Sequence, residues 1–149
     1  MTGIVLPSDL RARIESEARA AWPRECCGLL EGWRDGAIFR VTALRPTRNI
    51  SPDDDRFDID PADHVRAQRA ARAAGNAIVG CYHSHPNGSS EPSPRDYAGA
   101  SQESFFWIVA AVRLGEQPSL GAYVFERGVF SRAEWTATTA LDPARGQRV

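Results

Sequence analysis

Apolar positions along the chain change their spacing several times, and each change marks a new element. Leu10, Ile14 and Ala18 recur every fourth residue behind Ser8, and Pro23 follows them. The spacing predicts an amphipathic helix capped by Ser8 and running to about Ala21. Residues 25–33 (ECCGLLEGW) and 37–44 (AIFRVTAL) then read as strand-like runs on either side of Asp35-Gly36, a strong hairpin pair. They are expected to be adjacent antiparallel strands. The stretch 45–61 (RPTRNISPDDDRFDIDP) is polar and turn-rich and predicts a long loop with a short strand at Arg56 to Ile59. Asp60 as N-cap and Pro61 in the first turn open a second helix through an Ala/Arg-rich run to Ala74, where Gly75 ends it.

Residues 77–85 (AIVGCYHSH) form a continuous apolar run that turns polar at its end, as a central buried strand does on reaching a cleft. Later strands are expected at 104–112, 121–128 and 129–135, and residues 137–149 are expected to be a flexible tail. No internal repeat or linker interrupts residues 1–136. The pattern therefore predicts one α/β domain with a mixed sheet and two or three helices.

Composition narrows the partners. Hydrophobic residues make up 42 % of the 149 and charged ones 25 %, both globular values. No apolar run approaches the ~18 residues of a membrane span, and the N-terminal residues lack a secretory pattern, so a cytoplasmic location is expected. The net charge is -1 with basic residues scattered, which argues against nucleic acid as a main partner. All 18 basic residues are arginine, so the chain offers no lysine side chain to an isopeptide-linked modifier. Three cysteines, Cys26, Cys27 and Cys81, suggest no disulfide framework and read as small free core residues.

Candidate chemistry concentrates in residues 81–96, CYHSHPNGSSEPSPRD. On a strand Cys81, His83 and His85 share a face, and the histidine Cα atoms lie ~6.6 Å apart, within reach of one zinc ion at ~2.0–2.1 Å. Ser93, Pro94 and Asp96 have the form of a helix start, with Ser93 as N-cap and Asp96 at the third position approximating a capping box. A helix start beside the strand end is also where a carboxylate could be delivered as third ligand, leaving zinc's fourth position for water. A base for that water remains open on spacing alone: Glu25, Glu31, Asp58 and Glu91 all qualify. His64, on the second helix, is assigned no role.

The segments PRECCGLLEG and GCYHSHPNGSSEPSPRD together resemble the JAMM (MPN-plus) metalloprotease family in its compact prokaryotic form. That family's motif is an early glutamate, then His-x-His-Pro, six residues, Ser, two residues and Asp. Glu25, His83, His85, Pro86, Ser93 and Asp96 stand in that register. The resemblance implies a single domain with a curved, mixed, mostly antiparallel sheet flanked by helices, of the MPN/JAB type and related to cytidine deaminases. It implies one zinc ion per chain on His83, His85 and Asp96 with water as fourth ligand, Glu25 as general base, and Ser93 stabilising the oxyanion. It further implies a peptidase or isopeptidase cutting after the C-terminal Gly-Gly of a small β-grasp ubiquitin-like or sulfur-carrier protein, whose tail would add to an exposed strand edge. The short span between Val112 and Gly121 leaves little room for an insertion that grips a second ubiquitin. Rival readings are a cysteine protease on Cys26 or Cys27, a zinc deaminase, whose His-x-Glu and Cys-x-x-Cys spacings are absent, and a non-catalytic zinc-stabilised interaction module.

Overall fold

Residues 2–136 are described in this computed structural model, and all their strands join one eight-stranded sheet. The expected tail, 137–149, lies outside the described residues. In chain order the elements are β1 (Gly3–Val5), α1 (Ser8–Ala21), β2 (Cys27–Asp35), β3 (Ile38–Thr47), α2 (Pro61–Ala73) and β4 (Ala77–His85). They continue with α3 (Pro94–Gly99), β5 (Phe105–Ala111), β6 (Ser119–Glu126), β7 (Val129–Arg132) and β8 (Glu134–Thr136). The strand order is β7-β6-β5-β4-β2-β3-β1-β8. Three couplings, β4–β5, β1–β3 and β1–β8, are parallel and the other four antiparallel. The fold is the expected α/β domain with a mixed, mostly antiparallel sheet.

Curvature follows from connectivity. The strands at the two ends of the sheet, β7 and β8, are separated in sequence by Ala133 alone. A sheet whose two ends are joined by one residue has to curl until they meet. Ala133 N–H bonds back to Ala122 O on β6, while Glu134 N–H bonds to Thr2 O beside β1. The run expected as one strand over 129–135 thus changes partner halfway.

Strand alternation sends successive side chains to opposite faces. Leu30, Tyr82, Phe106 and Ile108 pack under Leu10, Ile14 and Ala18 of α1. Leu29, Cys81, Trp107 and Val109 pack on the other face with Ala67 of α2. His83 and His85 share the parity of Cys81, so they fall on the α2 face. Each large apolar side chain so buried contributes about 1.5–3 kcal/mol.

Several expectations need correcting. Ser8 is the first residue of α1, and Pro7 is the N-cap with no side-chain cap bond, because β1, which alternation did not reveal, delivers the chain through Leu6 and Pro7. The strand expected at Arg56 to Ile59 reduces to a single bridge between Asn49 and Ile59. There the Asp58 N–H is taken by the Asn49 side chain instead of a strand partner. β2 begins at Cys27, two residues after Glu25. The second helix and its Asp60 cap stand as expected, with Asp60 accepting from Ala62 N–H.

Two glycines set how closely the central strands approach. A Cβ on Gly80 would overlap the Phe106 carbonyl across the β4–β5 pair, and one on Gly28 would overlap the buried Tyr82 ring. Gly80→Ala is therefore expected to lower the urea midpoint by the equivalent of about 1–3 kcal/mol with the denaturant slope unchanged. A variant as stable as the parent would show that the two backbones can separate at no cost.

Candidate metal centre

The antiparallel register of β2 on β4 pairs Cys27 with His83 and Gly28 with Tyr82. Two further bonds extend that register past the end of β2: Ser84 N–H donates to Cys26 O at 3.1 Å, and Cys26 N–H donates to Ser84 Oγ at 2.8 Å. Glu25, the next residue, is thereby delivered beside His85. From the other side α3 delivers Asp96 through the expected capping box: Asp96 N–H donates to Ser93 Oγ at 3.1 Å, and Ser93 N–H donates to Asp96 Oδ2 at 2.8 Å.

The two histidines and Asp96 converge closely. His83 Nε2 lies 3.0 Å from His85 Nε2, and Asp96 oxygens lie 3.0 Å from each ring nitrogen. A tetrahedral ion at ~2.0–2.1 Å from each ligand keeps its ligand atoms about 3.3 Å apart, so the arrangement fits a bound ion after a shift of a few tenths of an ångström. Glu25, His83 and His85 also offer ligand atoms that all lie within 4.8 Å of one another. All four side chains are buried. This buried group could hold a metal ion.

Neighbouring atoms orient the rings. His85 Nδ1 donates to the Ser89 carbonyl at 3.0 Å, which turns Nε2 toward the cluster, as outer-shell carbonyls do for metal-binding imidazoles. His83 Nδ1 makes no hydrogen bond among the described residues, and its ring is fixed by aromatic contact instead. Phe57 stacks on it at 4.4 Å and Trp107 meets it edge-on at 5.6 Å.

Charge states follow from burial and pairing. Burial opposes ionisation of Asp96, but the hydrogen bonds with both imidazoles and from Ser93 N–H outweigh it and hold the carboxyl well below the usual range. Burial lowers the pKa of His83. The same effect acts on His85, but the bond to Asp96 and the nearby carboxylate charges overcome it and raise the pKa. Glu25 is pushed up to about 7, first by burial, with His85 opposing and Asp96 reinforcing the rise. Its Oε1 makes no hydrogen bond among the described residues. A buried carboxylate so placed is poised to exchange a proton near neutral pH.

The other carboxylates stand elsewhere. Glu31 is buried against Arg45 at 2.7 Å and Asn76 at 2.8 Å, and Glu91 faces Arg132 at 3.3 Å near the surface. Asp58 stays on the loop beyond Phe57. Cys26, Cys27 and Cys81 are free thiols, and burial pushes Cys26 up to about 12 and Cys27 up to about 11, so neither is a ready nucleophile.

Asn49, Phe57 and Trp107 belong to this site although sequence reasoning assigned them nothing. Asn49 uses all four of its amide positions. Nδ2 donates to Glu25 O at 2.9 Å and Arg56 O at 3.2 Å, while Oδ1 accepts from Ser51 N–H and Asp58 N–H, each at 3.0 Å. One side chain thereby ties the backbone of Glu25 to the loop carrying Phe57. A lone Asn in a run of turn residues gives no sign of this.

Residues 7–125 match the family model described as prokaryotic homologs of the JAB domain. A desampylase of Haloferax volcanii is 33 % identical over 111 residues, covering 71 % of this chain and 78 % of the relative. A probable TtuB-protein conjugate cleaving protease of Thermus thermophilus is 34 % identical over 92 residues, covering 61 % of this chain and just over half, 56 %, of the relative. The solution structure of a protein from Desulfitobacterium hafniense superposes with a TM-score of 0.84 at 26 % identity, covering 94 % of this chain and 96 % of that one.

In the metal-free protein the folded state keeps the Glu25 proton up to about pH 7, whereas the unfolded chain releases it near the ordinary 4.5. The folded state binds more protons in that window, so its stability falls as pH rises, by at most about 1.4 kcal/mol per pH unit for this one group. Urea melts of chelator-treated protein between pH 5 and 7.5 are expected to show that decline, and Glu25→Gln to flatten it. An equal slope in both proteins would mean that Glu25 ionises at its ordinary pH.

Proposed function

This chain belongs to the family of prokaryotic homologues of the JAB domain, and on that premise we propose that it is a zinc-dependent peptidase or isopeptidase. Its substrate is a small ubiquitin-like protein of β-grasp, sulfur-carrier type, and the bond hydrolysed is the one after that protein's C-terminal Gly-Gly. The observation that carries the reading is the convergence of two imidazoles and Asp96 within 3.0 Å beside a buried Glu25 whose Oε1 has no hydrogen-bond partner among the described residues. A purely structural metal site has no use for an extra buried carboxylate, which costs desolvation without a bond in return. That cost disfavours the non-catalytic module. The relatives named for conjugate cleavage and as a desampylase support the substrate class.

In this reading His83, His85 and Asp96 hold zinc. Zinc, when bound, supplies Lewis acidity that polarises the scissile carbonyl and lowers the pKa of water. Glu25 removes a proton from the attacking water and returns it to the departing amine, a task suited to a buried carboxylate with a free oxygen beside the two imidazoles. Ser93 Oγ already accepts from Asp96 N–H, which leaves its own hydrogen to donate to the developing oxyanion. Phe57 and Trp107 shield His83 from solvent, and drier surroundings strengthen each of these electrostatic contacts. Among the described residues no helix is long and apolar enough to cross a membrane.

The test is hydrolysis of a Gly-Gly-tailed carrier fused through its C-terminus to a reporter amine. Glu25→Gln is expected to retain one zinc per chain by elemental analysis while losing about 10²–10⁴ in kcat. Ser93→Ala is expected to lose about 10²–10³ in kcat with metal content unchanged. Asp96→Ala should lose the zinc itself. Cleavage by Glu25→Gln within tenfold of the parent would rule out the assigned base.

A further inference from the structure

A cavity of about 510 Å³ opens beside the cluster, on the side of His83 away from Glu25. Its floor is Leu29, Cys81, Phe105 and Trp107 from three adjacent strands, and Phe57 and Ile59 form its wall. Asp96 belongs both to this cavity and to the cluster, and the Phe57 ring that lines it also stacks on His83. Cavity and cluster therefore adjoin, with Asp96 and the Phe57 ring between them.

We propose that this cavity receives an apolar side chain of the substrate's carrier tail, that of the residue immediately before the terminal Gly-Gly. The inference rests on the peptidase reading above and adds to it which residue of the tail is read and by what.

Direction comes from the register of β2 on β4. Cys27 stands opposite His83 and Leu29 opposite Cys81, one pleat back toward the start of β4. Glu25 lies one pleat the other way, past the Cys26–Ser84 bonds. The leaving amine has to meet Glu25, which returns its proton, so the acyl chain extends to the opposite side, over Phe57 and into the cavity.

Distance fixes the position. Cys81 is two residues from His83, a separation of about 6.6 Å along a strand, and an extended tail covers the same distance in two residues. With the last glycine's carbonyl at the cluster, the side chain above the floor is the third from the end. β4 is paired on both sides, by β2 and β5. The tail therefore lies across the strand ends against the 49–59 loop and adds no strand to β4 itself.

Chemistry fixes the class. Arg95 at the rim pairs with Asp53 at 3.6 Å and Asp55 at 3.4 Å, and Arg56 pairs with Asp53 at 3.8 Å, so both arginines are engaged, while the carboxylates of Asp58 and Asp96 also line the cavity and repel an anion. Selection is left to the apolar floor, which favours Leu over Ala and excludes Asp.

Fluorescent hexapeptides ending in Leu-Gly-Gly, Ala-Gly-Gly and Asp-Gly-Gly, titrated onto the full-length zinc-loaded protein and read by anisotropy, test this. The Leu peptide is expected to bind at least about tenfold tighter than the Ala peptide, with Asp weakest. Gln102→Trp, which fills the cavity mouth from an exposed position, is expected to shrink the Leu advantage to within about threefold, with melting temperature and zinc content unchanged. Equal affinity for the three peptides, or a preference untouched by Gln102→Trp, would overturn the proposal. The two readings fail separately. Discrimination without hydrolysis of any conjugate removes the peptidase reading and leaves the pocket, whereas hydrolysis indifferent to the third residue removes the pocket and leaves the peptidase.

Discussion

Everything at the site depends on one pairing, β2 against β4. Two hydrogen bonds between Cys26 and Ser84 carry it one step beyond the formal end of β2. A slip of one residue would turn Glu25 to the opposite face and leave the histidines with only Asp96. Gly28 protects the register, because only a residue without a side chain lets Tyr82 lie beneath it. Tyr82 is anchored in turn by donating to Glu17 of α1 at 2.8 Å. The helix on one face of the sheet thus helps set the chemistry on the other.

The two buried carboxylates solve the burial problem in opposite ways. Asp96 is saturated: both imidazoles and a backbone N–H stabilise its charge, and ionisation costs little there. Glu25 O accepts from Asn49 and the neighbouring Cys26 is pinned by Ser84, while Glu25 Oε1 makes no hydrogen bond among the described residues. One group is built to stay charged and the other to change charge. Paired acids of differing environment are the usual means by which a site runs proton transfer near neutral pH.

How much was legible in the sequence follows the range of the interactions. The His83/His85 face, the Ser93–Asp96 capping box and the Asp60 cap are set by contacts a few residues long, and their spacing is written directly in the chain. Glu25 was one of four carboxylates on spacing alone, since its place depends on which strand β4 chooses as neighbour, nearly sixty residues later. Only resemblance singled it out. Asn49, Phe57 and Trp107 left no periodic signal because they act as single residues across a loop or a sheet. Ser8 misled because its preference for helix starts was overridden by β1, three residues too short to show alternation.

The meeting of β1 with β8 has a consequence at the level of whole polypeptides. Gly3 stands opposite Glu134 and Val5 opposite Thr136 in parallel register, so the described chain enters and leaves on adjacent strands at one corner of the sheet, at opposite ends of a pairing three residues long. That corner is three strand spacings from β4, about 14 Å. A domain entered and left on neighbouring strands can be spliced into a surface loop of another protein without disturbing its centre. The geometry makes this hydrolase-family domain a portable cassette.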